Sequence, residues 1–523
     1  MSGTAADDSR FSRLRIFWLL AATFLVSIAG IFYELVIATS STFLIGDSVR
    51  QFSFVIGLFL TSMGIGAWVS RYVGTARVGF IWGQMALALI GGASAPLLFL
   101  VYAYVGSTGA LLLVLIIATG ALSGMEIPLI VRMLNEMGAA KFRFENVLSL
   151  DYVGALVASL MFPIIIVPLL GLISSSLLFG TLNLAIAGIT LLVFWDSVSR
   201  AMQVFWLAAA VVLVGGLMNT ERLVSLTDTA IFEDDIIYSQ TTPYQKIIVT
   251  KYLDRFRLYL NNGIQFDSLD EHRYHELLVH PAILGAARAE RVLILGGGDG
   301  LAAREVLKHE TVKQVDLVDL DPAVTTLFST HATLRQLNAN ALNDPRVSVY
   351  NADAWTFLET RLADQKPDAL YDVVIADLPD PKDYALSKLY SVEFYRLLRQ
   401  STSGSAVVVT QAGSPTFAPD AFWSVNASLS EGFSATDAET LAYHGYVPSF
   451  GDWGFALGHR GRFQAGAVDG GLSGLSLRYL NPAIWGAAQS FPADTAKRPV
   501  EANRLTNHAL VEYYLDGWAQ WFM

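Results

Sequence analysis

The sequence predicts two architectures in one chain: an α-helical transmembrane bundle of about seven spans, then a small antiparallel β module and an α/β Rossmann-like domain. Three observations predict this. Uncharged apolar runs follow one another up to about residue 220, and beyond it charge is spread as in a soluble protein. Mean hydropathy is +0.45 and only 15% of residues are charged, against about 25% in an average soluble domain. In the second half, strand and helix patterns alternate around a glycine-rich turn, Gly296-Gly297-Gly298-Asp299-Gly300.

A chain of 523 residues exceeds one ordinary domain. The composition shift divides it into a multi-pass segment (1–220), a β module (221–265) and a Rossmann-like domain (266–523). Net charge is −11. The first 220 residues are near neutral, so the acidic excess falls in the soluble half. Such a surface disfavours nucleic acid and suits a cationic small molecule, or simply keeps the domain soluble. With no cysteine, disulfides, thiolate chemistry and Cys-ligated metal are excluded. The eight histidines show no metal-ligand spacing, and no metal site is expected.

Crossing about 30 Å of hydrocarbon at 1.5 Å per residue takes roughly 20 apolar residues. Seven such runs lie near 16–38, 52–70, 80–104, 109–131, 148–170, 172–195 and 203–219. The first is too long for a cleaved signal peptide and is followed by further spans. A multi-pass protein of the cell (inner) membrane is expected, with the bilayer as partner. Arg10, Arg13 and Arg15 precede the first run. Arg71 and Arg77, then Arg132, Lys141 and Arg143, then Arg200 fall in alternate loops, which places the N-terminus on the cytoplasmic side. Glu34, Glu126 and Asp151 sit in or beside apolar runs and should face the bundle interior. They read either as a path for a cation or as structural partners of Arg132 and neighbouring hydroxyls.

Residues 221–230 read as a linker. Short strand patterns follow at 236–238, 245–250 and 257–260, with Asn262-Gly263 as a hairpin turn. A helical stretch covers 272–286. The apolar strand 292–295 then runs into the glycine turn and a helix at 301–309, and a second strand, 315–320, carries Asp316 and Asp319. Further strands are expected at 347–350, 373–376 and 406–410. This alternation implies a parallel, doubly wound sheet with ligands at the strand C-termini. Glycines let the backbone turn tightly and approach a nucleoside. An acid about 20 residues later, Asp319, is placed for ribose hydroxyls. A glycine turn with such an acid fits nicotinamide, flavin and S-adenosylmethionine enzymes equally. The stretch 503–518 reads as an amphipathic packing helix.

Together the spaced motifs resemble the spermidine synthase (polyamine aminopropyltransferase) family, in its membrane-anchored multi-pass branch. The matching residues span about 241–455: Pro243-Tyr244-Gln245, Gln265, Asp270-Glu271 with Tyr274-His275-Glu276, the glycine turn with Asp299, Asp353-Ala354, Asp377 with Asp380-Pro381, and Gln411. The resemblance implies a methyltransferase-type Rossmann fold and no prosthetic group, with decarboxylated S-adenosylmethionine as co-substrate. It implies transfer of the aminopropyl group to putrescine or another polyamine, giving spermidine and methylthioadenosine, and a homodimer. The alternatives are an S-adenosylmethionine-dependent methyltransferase and a non-catalytic polyamine sensor or transporter.

The acceptor amine must lose a proton at or before attack, and a nearby carboxylate can take it. The resemblance gives that task to Asp377. It gives cofactor-side binding to Gln245, His275, Gly296, Gly298, Asp299, Asp319, Asp353 and Ala354, and acceptor-side binding to Gln265, Tyr274, Asp380 and Gln411. An aspartate at 299 would repel the carboxylate of ordinary S-adenosylmethionine and attract the free amine of the decarboxylated form; its other reading is an acid favoured by a helix N-terminus. Tyr274 also reads as a packing residue and His275 as a hydrogen-bonded core histidine. The sequence departs from the family at Lys382-Asp383-Tyr384, at Asp319 where glutamate is usual, and around 448–453, where Tyr446 or Trp453 would have to replace an acceptor-side tyrosine. Seven spans would put the soluble half opposite the N-terminus, away from a cytosolic nucleoside. Either a span is miscounted or the domain works on that side.

Overall fold

The computed structural model describes residues 2–45, 48–137, 144–232, 234–363, 370–434 and 440–522. Lys141 and Arg143 lie outside the described residues. The chain divides into two compact units, Met1–Ile236 and Ile237–Met523.

The first unit is helical. Among the described residues, six helices are long and apolar enough to cross a membrane: Leu14–Ile45, Val49–Tyr72, Ala76–Val105, Gly109–Glu136, Phe144–Val193 and Arg200–Met218. The fifth runs for 50 residues, roughly 75 Å at 1.5 Å per residue. It is broken at Gly171, whose backbone (φ 71°, ψ 178°) is non-helical and available only to glycine at low cost. The expected linker at 221–230 is instead a helix, Thr220–Ile231. Its apolar positions Leu223, Val224 and Ile231 recur at helical spacing and pack on the bundle core.

Of the partners read for these acids, Arg132 makes no ion pair with them among the described residues. Arg132 donates instead to the carbonyls of Ser70 and Gly74, each at 3.1 Å.

The second unit opens with an antiparallel sheet of β1 (Asp235–Thr241), β2 (Lys246–Tyr252), β3 (Arg255–Leu260) and β4 (Gly263–Asp267), in that order. The β3–β4 turn sits one residue earlier than expected. Asn261 and Asn262 take the positive φ values (48° and 65°), asparagine being the residue after glycine that best tolerates them, and Gly263 begins β4.

The main sheet holds β5 (Arg291–Gly296), β6 (Gln314–Asp319), β7 (Val347–Asn351), β8 (Tyr371–Asp377), β9 (Thr402–Gly413), β10 (Leu441–Val447) and β11 (Gly451–His459). Their order is β10-β11-β9-β8-β5-β6-β7. The parallel expectation holds for the five strands it covered, and the sheet is extended by two more. β7, β6, β5, β8 and β9 are parallel, whereas β11 runs antiparallel to both β9 and β10. The inner parallel strands β5, β6, β8 and the second half of β9 are rich in buried Val, Ile and Leu, as burial on both faces requires, whereas the edge strand β7 is largely exposed, and separate apolar clusters cover the two faces. The turn after β5 and the ends of β6 and β8 therefore meet at one edge of the sheet.

Candidate functional site

β5 and β8 are neighbours in register, with Gly296 opposite Asp377. Gly296 has a positive φ of 78°, and a Cβ there would stand 2.0 Å from the Asp377 carbonyl oxygen. Only glycine lets these strand ends close together. Gly298 serves a neighbouring approach. Its N–H donates to Asp319 Oδ2 at 3.0 Å, where a Cβ would lie 2.6 Å from that oxygen. The turn ends at Gly300, the left-handed N-cap of helix Leu301–Val306, and Asp299 Oδ1 accepts from Leu301 N at 2.9 Å. Asp299 thus has the helix-terminal partner of its structural reading.

Asp377 sits beside two predicted residues. Tyr274 donates to Asp377 Oδ1 at 2.7 Å. His275 Nε2 lies 3.9 Å from Asp377 Oδ2. The imidazole is held from behind, its Nδ1 at 2.8 Å from both the carbonyl oxygen and Oε2 of Glu271. Glu271 takes both guanidinium arms of Arg304, each at 2.9 Å. Such a forked pair fixes geometry as well as charge.

The electrostatics follow from these contacts. Burial raises Asp377 above the usual carboxylate range, against the opposing charge of His275 and the Tyr274 hydrogen bond. Burial likewise raises Asp299 to about 6; His275 draws it down and Asp377 pushes it up. Asp319 is also raised by burial to about 6, against the N–H groups of Asp321 and Gly298. His275 goes the other way. Burial would lower it, but the Glu271 hydrogen bond and charge, aided by Asp377 and Asp299, raise it to about 9. Burial would raise Glu271, yet His275 and Arg304 hold it at about 2. The site is therefore a group of buried carboxylates around one imidazolium.

Asp380 and Gln411 form an adjoining group. Gln411 Nε2 reaches Asp380 Oδ1 (3.2 Å), the Leu378 carbonyl (3.0 Å) and the Tyr390 hydroxyl (2.6 Å). Its Oε1 accepts from Gly413 N at 2.9 Å. Tyr514 donates to Asp380 Oδ2 at 2.7 Å. Burial raises Asp380, against the hydrogen bonds from Tyr514 and Gln411.

Other predicted residues stand apart in their contacts. Gln245 donates to Asp321 Oδ2 at 3.2 Å, an oxygen that also accepts from Thr242 at 2.8 Å. Gln265 turns back on its own strand and donates to Gly263 O at 3.1 Å. Asp353 accepts from Thr356 N at 3.0 Å and faces Lys388 Nζ at 3.3 Å, with Ala354 opening helix Ala354–Ala363. Glu276, next to His275, has a structural task, accepting the N–H groups of Arg478, Tyr479 and Leu480. Trp453 is buried beside Phe450, ring centroids 5.1 Å apart, and Phe450 in turn meets Tyr274 edge-on at 5.8 Å. Tyr446 is exposed.

Sequence reasoning missed Arg304, Tyr390 and Tyr514 and gave Glu271 no role. Glu271 carried a signal, since an acid one helical turn before His275 can reach its ring. Tyr514 carried none. Among the described residues, no group of three or more His, Asp or Glu is placed to hold a metal ion.

Residues 271–459 match the Spermine/spermidine synthase domain, which sets the class of the second unit. A polyamine aminopropyltransferase 2 from Ralstonia nicotianae is 43% identical over 96% of this chain and 98% of its own. A polyamine aminopropyltransferase from Leptospira interrogans is 40% identical over the same shares, and one from Mycobacterium tuberculosis 37% identical over 96% of each chain. A spermidine synthase solved in complex with the transition state analogue AdoDATO aligns with 49% of this chain and 86% of its own, at 25% identity and a TM-score of 0.45. The chain belongs to the polyamine aminopropyltransferase family, and is a transferase of polyamine biosynthesis.

Proposed function

We propose that the chain moves the aminopropyl group of decarboxylated S-adenosylmethionine to putrescine, forming spermidine and methylthioadenosine. One observation carries the reading: Asp299, buried, and Asp377, largely shielded, lie together at the glycine turn, where a donor tail bearing only positive charge is attracted and a carboxylate is repelled. The acceptor nitrogen uses its lone pair to attack the aminopropyl carbon beside the sulfonium. The carbon–sulfur bond breaks, its electron pair goes to sulfur, and the amine proton passes to Asp377. Tyr274 orients Asp377 for this task. Because the sulfonium is already an activated leaving group, alignment supplies the larger part of the rate.

On the donor side, Asp319 takes the ribose, with Gly296 and Gly298 letting the nucleoside approach. Asp353 and Ala354 take the adenine, and Gln245 and His275 complete the surroundings. On the acceptor side, Asp380 holds the far ammonium, oriented by Gln411, with Gln265 and Tyr274 lining the path. The Rossmann-like catalytic domain covers 266–523, preceded by the β module at 221–265. The segment 1–220 lies in the cell membrane as seven spans, the break at Gly171 dividing the 50-residue helix into two.

The full chain in detergent, given decarboxylated S-adenosylmethionine and putrescine, should release methylthioadenosine, and Asp377→Asn should lower kcat by about 100-fold or more. No release with putrescine, cadaverine, spermidine or agmatine would overturn the assignment.

A further inference from the structure

The helical unit buries carboxylates that aminopropyl transfer does not use. Glu126 is only 6% exposed, inside a bundle whose core is apolar. Arg132, one and a half turns along the same helix, is committed to the Ser70 and Gly74 carbonyls. A carboxylate in such surroundings is costly unless a cation or several donors meet it.

Around Glu126 lie several groups able to accept a hydrogen bond. The Gln84 amide nitrogen donates to Glu126 Oε1, so the Gln84 amide oxygen is held in the same cluster. That oxygen is fully buried and has no hydrogen-bond partner among the described residues. The Tyr33 hydroxyl, close enough to Glu126 to feel its charge, is also buried without a partner, as is Ser123 Oγ, one turn from Glu126 on the same helix. Asp151 adds a second carboxylate within electrostatic reach. Its helix is tied to the first helix by Ser27, which donates to the Asp151 carbonyl at 2.5 Å. Four helices thus bring two carboxylates, an orphan amide oxygen and two orphan hydroxyls to one place. Buried polar atoms of this kind normally find partners, and a compact, donor-rich cation would supply them here.

We infer that Glu126, surrounded by Gln84, Tyr33, Ser123 and Asp151, forms a binding site inside the helical unit for a primary ammonium group of an alkyl polyamine. Three N–H donors on one charge match a carboxylate, an amide oxygen and a hydroxyl. A divalent metal would want six or more oxygens with more carboxylate among them. That the ammonium belongs to a polyamine rests on the proposed function above.

The test separates this site from the catalytic one. The full chain carrying Asp377→Asn and Asp380→Asn, in detergent, should still bind labelled spermidine. Adding Glu126→Gln should weaken that binding at least tenfold, and Gln84→Met should weaken it in the same direction. Glu126→Gln alone should leave aminopropyl transfer unchanged, which reports that the chain is folded. Loss of all binding in the Asp377→Asn, Asp380→Asn chain would overturn the inference. So would binding indifferent to Glu126→Gln, or displacement by millimolar sodium or magnesium. A wild-type chain that binds spermidine through Glu126 yet releases no methylthioadenosine would refute the transferase reaction and leave this site standing.

Discussion

The Tyr514 hydroxyl donates to Asp380 Oδ2 at 2.7 Å, joining residues 134 positions apart. The helix Ala509–Phe522 thereby becomes part of the acidic site rather than packing alone. Asp380 is left with Gln411 as its other side-chain donor. Tyr514→Phe should remove one of two donors from a buried carboxylate, a loss of about 1–3 kcal/mol where the charge is left uncompensated. Since Asp380 is assigned to the acceptor, the expected outcome is a KM for putrescine raised roughly five- to tenfold, with the donor KM unchanged. Steady-state kinetics with each substrate varied in turn decide this; an equal effect on both would remove Tyr514 from the acceptor side.

Features encoded within a few residues were legible in the sequence. The glycine turn, the acid ending β6 and the Asp377–Asp380 pair were all found, because backbone sterics and strand ends leave local marks. The direct Tyr274–Asp377 bond was not, since nothing in either motif says that helix Glu271–Gly285 delivers its tyrosine to the end of β8. Arg304 and Tyr514 were missed for the same reason. The helix Thr220–Ile231 was legible but read as a linker at 221–230, although Leu223, Val224 and Ile231 keep a helical period. The reversal at β11 was legible too. Only three residues, 448–450, separate β10 from β11, too few for the crossover that parallel strands need.

Gly298 and Gly296 should respond differently to alanine. At Gly298 the φ is not positive, and the new methyl would displace the Asp319 carboxylate it would meet at 2.6 Å. Gly298→Ala should therefore fold, with a donor KM raised about tenfold or more. At Gly296 the methyl would meet backbone at 2.0 Å with φ at 78°, so Gly296→Ala should destabilise the domain by several kcal/mol, on the order of strain plus overpacking. Thermal melts beside donor titrations separate the two outcomes.

Glu271→Gln should move the pH profile through His275. The raised pKa of His275, about 9, depends on Glu271 opposing the effect of burial. A raised histidine pKa stabilises the fold fully below the unfolded value near 6.5 and loses that contribution as pH climbs through about 9. Wild type should therefore lose melting temperature between about pH 7 and 9, and Glu271→Gln should be flatter there and less stable at pH 7. With the imidazole neutral, Asp377 loses the positive neighbour that holds its pKa down. The acidic limb of kcat/KM should then shift to higher pH. Arg304→Lys should reproduce part of the effect, because lysine offers one point charge where Glu271 uses a fork. A variant with lower stability but an unmoved pH profile would make Glu271 a structural residue only.

Asp299 should set the choice between the two forms of the sulfonium donor, and pH should tune that choice. When ionised, it attracts an amine tail and repels a carboxylate. Burial places its pKa at about 6, so the charge is present at neutral pH and disappears below that value. The preference for decarboxylated over ordinary S-adenosylmethionine should be greatest above pH 7 and should narrow as pH falls toward 5. Asp319, also near 6, titrates in the same window, but it faces ribose in the proposed arrangement. Its protonation should weaken both donors alike and leave their ratio untouched. Asp299→Asn should abolish the pH dependence of the ratio and bring it close to its low-pH value throughout. Competition calorimetry with both donors across pH 5 to 8 reads the ratio directly. A preference that survives Asp299→Asn unchanged would transfer the discrimination to another group and leave Asp299 as the acid that caps its helix.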